Sequence, residues 1–136
     1  VLAQFRGYRE IKKEARYGES RFDLYLEDGA HPCFIEVKSV TLVEEDGVAR
    51  FPDAPSARGS KHIQELVRTL NDGFRAAVIF VVQRNDARVF SPNQVTDPLF
   101  TEALRRAGSA GVEIYALGCS VSRQGIGLQN YLPVEL

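Results

Sequence analysis

Arg21-Phe22-Asp23-Leu24-Tyr25-Leu26 and, beyond Asp28-Gly29, Cys33-Phe34-Ile35-Glu36-Val37-Lys38-Ser39-Val40 are two apolar runs broken by charge where a strand should be buried. Alternation puts Glu36 and Lys38 on one face of the second run, with Ile35 and Val37 on the other. A hairpin turned at Asp28-Gly29 brings Asp23 toward them. Two carboxylates and an ammonium then converge, each costly to desolvate without a partner or a metal. Carboxylate oxygens suit a hard divalent cation, and a lysine beside them can orient water or balance charge on phosphorus. That is the arrangement of metal-dependent phosphodiester hydrolysis. The competing reading is a solvent-facing pair on an antiparallel strand, contributing at most about 1 kcal/mol. Glu-x-Lys is a common pattern, and Glu10-Ile11-Lys12 is a second copy in a segment without strand character.

The 136 residues, 44% of them hydrophobic, suit one domain over residues 1–136 with its own core. No run approaches the roughly 18 apolar residues of a membrane span, and no signal-peptide pattern opens the chain. Cys33 and Cys119 are too few for a disulfide framework; they read as buried small hydrophobes in a reducing, cytoplasmic setting. The chain begins at Val1 and contains no methionine, so a fragment of a longer protein is expected. The net charge of −1 is unevenly spread. Residues 1–21 hold six basic and three acidic side chains, 22–57 two and eight, 58–88 six and three, and 89–136 three and four. Carboxylates at the centre with cations around them are what a nuclease needs. Ordinary fluctuation of a mixed surface is the alternative.

Outward from the two runs, residues 3–16 read as a basic helix, or helix plus strand, anchored by Phe5 and Tyr8 and ended by Gly18. Strands are expected at about 21–27 and 33–43, then a turn at 44–47, a short returning strand at 48–51 and an irregular stretch through Pro52 and Pro55. Ile63, Leu66, Val67 and Leu70 predict a helix capped by Ser60 and stopped by Asn71-Asp72-Gly73. Residues 76–82 are apolar on both faces, as in a central, often parallel, strand. Asp97-Pro98 opens a helix with Leu99, Phe100, Ala103, Leu104 and Ala107 on one side and Gly108 past its end. Residues 112–117 form the last clear strand, and Leu128, Leu132 and Val134 dock a weaker tail. The fold class is α/β, an α+β mixed sheet with helices on its faces.

This order, with acidic residues on its second and third elements, resembles the restriction-endonuclease-like PD-(D/E)xK nucleases, an αβββαβ core here carrying an extra helix and strand. Longer strings carry a narrower likeness. Tyr17-Gly18-Glu19-Ser20-Arg21-Phe22-Asp23, Ile35-Glu36-Val37-Lys38-Ser39-Val40-Thr41-Leu42, Phe51-Pro52-Asp53-Ala54 and Arg58-Gly59-Ser60-Lys61-His62-Ile63-Gln64-Glu65-Leu66 are similar to the sugar fermentation stimulation protein family. Phe80-Val81-Val82-Gln83-Arg84 and the closing Leu132-Pro133-Val134-Glu135-Leu136 are similar too. The resemblance implies a DNA-binding protein with a proposed regulatory role in sugar metabolism and a nuclease-like C-terminal domain, preceded in the family by an OB-like domain. Phe22 stands where the superfamily motif has proline. The Gln-x-x-x-Tyr motif of some branches is also missing, because Arg68 follows Gln64 by four.

On this reading Asp23, Glu36 and Lys38 are the catalytic residues of a site hydrolysing DNA. Asp23, Glu36 and the Val37 carbonyl hold Mg²⁺ or Mn²⁺, and Lys38 positions water or stabilises charge on phosphate. Glu14 is the additional acidic candidate, against a solvated charge paired with a nearby base. Arg58, Lys61 and His62 sit at a helix N-terminus that favours phosphate, a plain helix cap being the alternative. Arg21 and Tyr17 are candidates for the DNA face or simply edge the sheet. No glycine-rich phosphate loop, nucleophile elbow or helix-turn-helix is present, which disfavours a small-molecule enzyme and leaves base-specific readout without a signal.

Overall fold

The computed structural model describes residues 3–27, 31–122 and 125–136, the side chains of residues 3 and 120–129 excepted. The expected turn at Asp28-Gly29 and the docking of the Leu128 side chain lie outside the described residues. A 3₁₀ turn (Ala3–Phe5) leads into strands β1 (Glu10–Tyr17), β2 (Ser20–Glu27), β3 (Cys33–Val40), β4 (Leu42–Val43) and β5 (Val48–Phe51). Helix α1 (Ala57–Asn71), strands β6 (Arg75–Val82) and β7 (Val89–Pro92), helix α2 (Pro98–Ala110) and strands β8 (Glu113–Ser122) and β9 (Gly125–Leu132) follow. The main sheet has the order β1-β2-β3-β6-β8-β9, and a smaller one the order β4-β5-β7. Strands β3, β6 and β8 run parallel, and antiparallel strands flank them on both sides. The expected mixed α/β sheet is the observed fold.

Both helices lie on one face of the main sheet. Ile63 and Leu66 of α1 and Phe100, Leu104 and Ala107 of α2 are buried against Phe34, Val78, Phe80 and Ala116. The two helices also approach each other closely. A Cβ at Gly59 would stand 3.3 Å from the Phe100 ring, which explains glycine inside α1 despite its helix cost of about 1 kcal/mol. On the opposite face, Phe5, Leu26, Cys33, Ile35, Ala77, Ile79 and Leu117 form a second apolar cluster. There Arg75 pairs with Glu113 and lies 4.8 Å over the Phe5 ring, fastening the N-terminal turn to the sheet.

Several sequence expectations are corrected. Of the two readings of residues 3–16, a single helix is overturned and helix plus strand is close to what is observed: a 3₁₀ turn at 3–5 and then strand β1, in which Ala15 and Tyr17 pack on the core while Lys12, Lys13 and Arg16 stay in water. Tyr17 edges the sheet, half-buried against Phe34 and Phe74, and donates its hydroxyl to the Asp72 carboxylate. Helix α2 runs through Gly108 to its left-handed cap at Gly111, where φ is 115°. Leu99 points into solvent, 76% exposed. The weak tail is strand β9, antiparallel to β8, with Leu132 and Val134 packed on the core. Residues 89–92 form a further strand without a local pattern of its own.

Helix α1 starts three residues earlier than its expected cap. Ser56 is the N-cap, its hydroxyl accepting from the Gly59 N–H at 3.1 Å. The Ser60 hydroxyl is buried without a partner among the described residues. Ser56→Ala is therefore expected to cost about 1 kcal/mol in urea denaturation. Ser60→Ala is expected to be neutral or stabilising, since it removes a desolvated group that gains nothing.

Candidate functional site

The candidate site forms where the sheet comes apart. Strands β1 and β2 are paired along nearly their whole length, but β2 and β3 pair only at Leu24–Ile35, Tyr25–Phe34 and Leu26–Cys33. Upstream of Leu24 the two strands separate. Phe22 and Leu24 would share a face in a regular strand, yet Phe22 packs on the helix side and Leu24 on the other. The disturbance continues on β1. Glu14 lies across from Asp23, between the pairs Lys13–Leu24 and Ala15–Phe22, and has φ 53°. The Asp23 carboxylate then fills in for the lost ladder bond, accepting the Val37 N–H at 2.7 Å.

Glu36 is one residue away, pointing to the helix side. It is not the solvent-facing residue of the bland alternative: its relative exposure is 3%. Lys38, two residues on, brings its ammonium 3.3 Å from Glu36 Oε2, and His62 of α1 brings Nδ1 2.6 Å from that same oxygen. The ammonium and Nδ1 are 3.1 Å apart. Burial pushes the Glu36 carboxyl up to about 7, and the neighbouring Asp23 adds to the rise while Lys38 opposes it. Burial, then the charges of Lys38 and Arg58, hold His62 below the usual imidazole range. His62 is thus neutral at pH 7, and its contact with Glu36 is a hydrogen bond rather than an ion pair.

The structure brings Asp23, Glu36, Lys38 and His62 together, and disperses the other candidates. Glu14 is exposed on β1 rather than on a helix. Because α1 begins at Ala57, Arg58 alone remains in its first turn; Lys61 and His62 lie in the second and cannot use the free N–H groups there. Lys61 lines an 800 Å³ groove between α1 and α2, together with Gln64, Glu102 and Arg106, and its charge acts on His62 without a contact. Arg21 and Arg58 are exposed, with no hydrogen bond or ion pair among the described residues. The part played by His62 was missed as a partner of Glu36. Its signal was present, since position 62 precedes Leu66 by one helical turn and so borders the buried stripe of α1.

Residues 1–125 match the family model described as the sugar fermentation stimulation protein RE domain. The chain belongs to the sugar fermentation stimulation protein family. It is similar to the sugar fermentation stimulation protein homologue of Desulforamulus reducens, 61% identical over all of this chain and 56% of that protein. The Moorella thermoacetica homologue is 51% identical over 99% of this chain and 58% of its own length. A solved structure described as Pyrococcus furiosus SfsA in complex with Ca²⁺ superposes with a TM-score of 0.90 at 40% identity, covering 99% of this chain and 58% of that one. The chain spans somewhat more than half the length of these family members. Among the described residues, no helix is long and apolar enough to cross a membrane.

Proposed function

We propose that this chain is a DNA-acting domain with a restriction-endonuclease-like site that hydrolyses phosphodiester bonds with Mg²⁺ or Mn²⁺. The convergence of Asp23, Glu36 and Lys38 where β2 and β3 part carries the reading. The donor chemistry fits a hard cation. Glu36 is buried beside a second carboxylate, and both desolvation and that neighbour disfavour its ionised form. A divalent cation between the two relieves this conflict. No three His, Cys, Asp or Glu side chains among the described residues gather into a metal-binding group. The donors in this reading are accordingly the two carboxylates, the Val37 carbonyl and water, an all-oxygen set suited to Mg²⁺. The Pyrococcus furiosus relative is described in complex with Ca²⁺, and a hard cation in that protein supports an oxygen-ligated divalent ion in this one.

A bound cation supplies Lewis-acid polarisation of a phosphate oxygen and a water of lowered pKa. The chain's own groups do the rest. Asp23 and Glu36 fix the donor oxygens on two strands of a rigid sheet. Lys38 donates N–H toward the phosphate oxygen on which charge develops. Arg21 and Arg58, exposed on β2 and α1, contact flanking phosphates. Cys33 and Cys119, both free thiols, support a reducing, cytoplasmic setting.

A second reading is a non-catalytic DNA-binding regulator of sugar metabolism that uses the cation only to bridge phosphates. One observation favours it: the Asp23 carboxylate already has a structural task at the Val37 N–H. Supercoiled plasmid and end-labelled single-stranded DNA, incubated with the protein and Mn²⁺, separate the two. Nicking or shortening is expected; cation-assisted retention of uncut DNA selects the second reading. Calorimetry tests the cation itself. Asp23→Ala is expected to abolish Mn²⁺ binding and, by orphaning the Val37 N–H, to cost about 1–2 kcal/mol of stability. Asp23→Asn keeps an acceptor for that N–H, so it loses the cation with less effect on the melting temperature.

A further inference from the structure

Glu36 Oε2 is contacted from two sides, by the Lys38 ammonium at 3.3 Å and by His62 Nδ1 at 2.6 Å. Nδ1 cannot serve both neighbours in one proton arrangement. It either carries a proton and donates to the carboxylate, or presents a lone pair to the ammonium and requires a proton on Glu36. Once Glu36 is ionised by a cation, only the first arrangement remains, with Nδ1–H and the ammonium both directed at Oε2. That oxygen is then fully engaged, and Oε1 is left for the metal.

We infer that His62 is a positioning residue of the cation site: by occupying Glu36 Oε2 from helix α1, it makes Glu36 a ligand through one oxygen and so biases the site toward small octahedral cations. This rests on the cation reading above. The backbone around His62 gives it the rigidity such a task needs. Ile63 and Leu66, which flank it on α1, are fully buried, and the His62 side chain itself is only 13% exposed. Mg²⁺ and Mn²⁺ accept single carboxylate oxygens in near-octahedral geometry, whereas Ca²⁺ takes more oxygens and readily binds a carboxylate through both. Removing His62, the closer of the two donors on Oε2, leaves only the Lys38 ammonium there and loosens the second oxygen, which helps the larger ion and costs the smaller ones orientation.

The test is calorimetric titration of the folded, metal-free protein with Mn²⁺ and, separately, with Ca²⁺, at one fixed pH of 8. His62→Ala is expected to weaken Mn²⁺ binding by about 10–100-fold, the usual effect of losing a partner that orients a ligand. Ca²⁺ binding should fall less, so the preference for Mn²⁺ over Ca²⁺ narrows. His62→Asn, whose amide N–H can stand where Nδ1–H stood, is expected to recover most of the Mn²⁺ affinity. A purely structural histidine would lower the melting temperature and weaken both ions alike. Wild-type binding of Mn²⁺ with unchanged affinity and ion preference in His62→Ala overturns the inference alone. Failure of His62→Asn, folded by its melting curve, to recover affinity overturns the donor assignment. Absence of Mn²⁺ binding by the wild-type protein overturns the cation reading and this inference with it.

Discussion

If the proposed nuclease reading holds, Lys38→Ala is expected to lower Mn²⁺-dependent DNA cleavage by about 10²–10³-fold, the effect of withdrawing one charged donor from a phosphoryl group in a water-poor site. The ammonium of Lys38 is the cation of the site nearest Glu36, and its side chain is only 15% exposed, so water replaces it poorly. The loss should fall on the rate of bond breaking and leave DNA affinity nearly intact, because one ammonium among several phosphate contacts contributes little to retention. The check is a single-turnover assay of plasmid nicking, run beside a filter-binding titration with Ca²⁺ in place of Mn²⁺. Cleavage that persists undiminished in Lys38→Ala means that the activity belongs to a contaminant, and the binding-only reading then stands.

The second large effect is on stability. Glu36 titrates near 4.5 in the unfolded chain and near 7 in the folded one, burial being the main cause. Across that window the native state holds more protons than the unfolded state, so stability falls as pH rises and levels off above about 7. The full fall is roughly 3 kcal/mol, on the order of 10 °C in melting temperature for a domain of this size. The other groups around Glu36 are Asp23 on β2, Lys38 on β3 and His62 on α1, with Arg58 and Lys61 acting in turn on His62. His62 acts with the opposite sign. Its folded value lies below 6.5, so its contribution grows as pH rises toward that value. The measurement is therefore a difference: melting of wild-type against Glu36→Gln, in chelator, from pH 4.5 to 8.5. The wild type should lose ground steadily to the amide variant up to pH 7. Saturating Mn²⁺ should erase the trend in the wild type and leave Glu36→Gln unmoved. A constant difference would mean that Glu36 is ionised throughout and that the carboxylate pair is not in conflict.

Much of this arrangement was legible in the residues. Alternation places Glu36 and Lys38 on one face, and the both-faced apolarity of residues 76–82 marks β6 as the centre of the sheet. Helix positions followed from the spacing of Ile63, Leu66, Val67 and Leu70. What was not legible depended on contacts distant in sequence. Residues 10–17 lack strand alternation because β1 lies at the sheet edge, with only Ala15 and Tyr17 half-buried. The strand at 89–92 is four residues long and ends in proline, so its pairing with β5 leaves hardly any local pattern. The cap of α1 was misplaced because Ser56 and Ser60 are chemically equivalent. Only the Asp97 carboxylate, receiving the Ser56 N–H at 2.9 Å from 41 residues away, distinguishes them. His62 escaped for a related reason: its significance lies in Glu36, on a strand 26 positions earlier in the sequence.

The double duty of Asp23 bears on how descendants of this domain can change. On the proposed nuclease reading, a lineage that abandons hydrolysis is free to exchange positions 36, 38 and 62 as a set for close-fitting apolar side chains, a replacement that buried ionic groups commonly tolerate or even profit from. Position 23 enjoys no such freedom while the backbone amide of Val37 needs its acceptor. A bare acceptor there, asparagine included, is poor testimony to catalysis; an acid at 23 together with the joint survival of the other three is the mark by which working members would be sorted from retired ones.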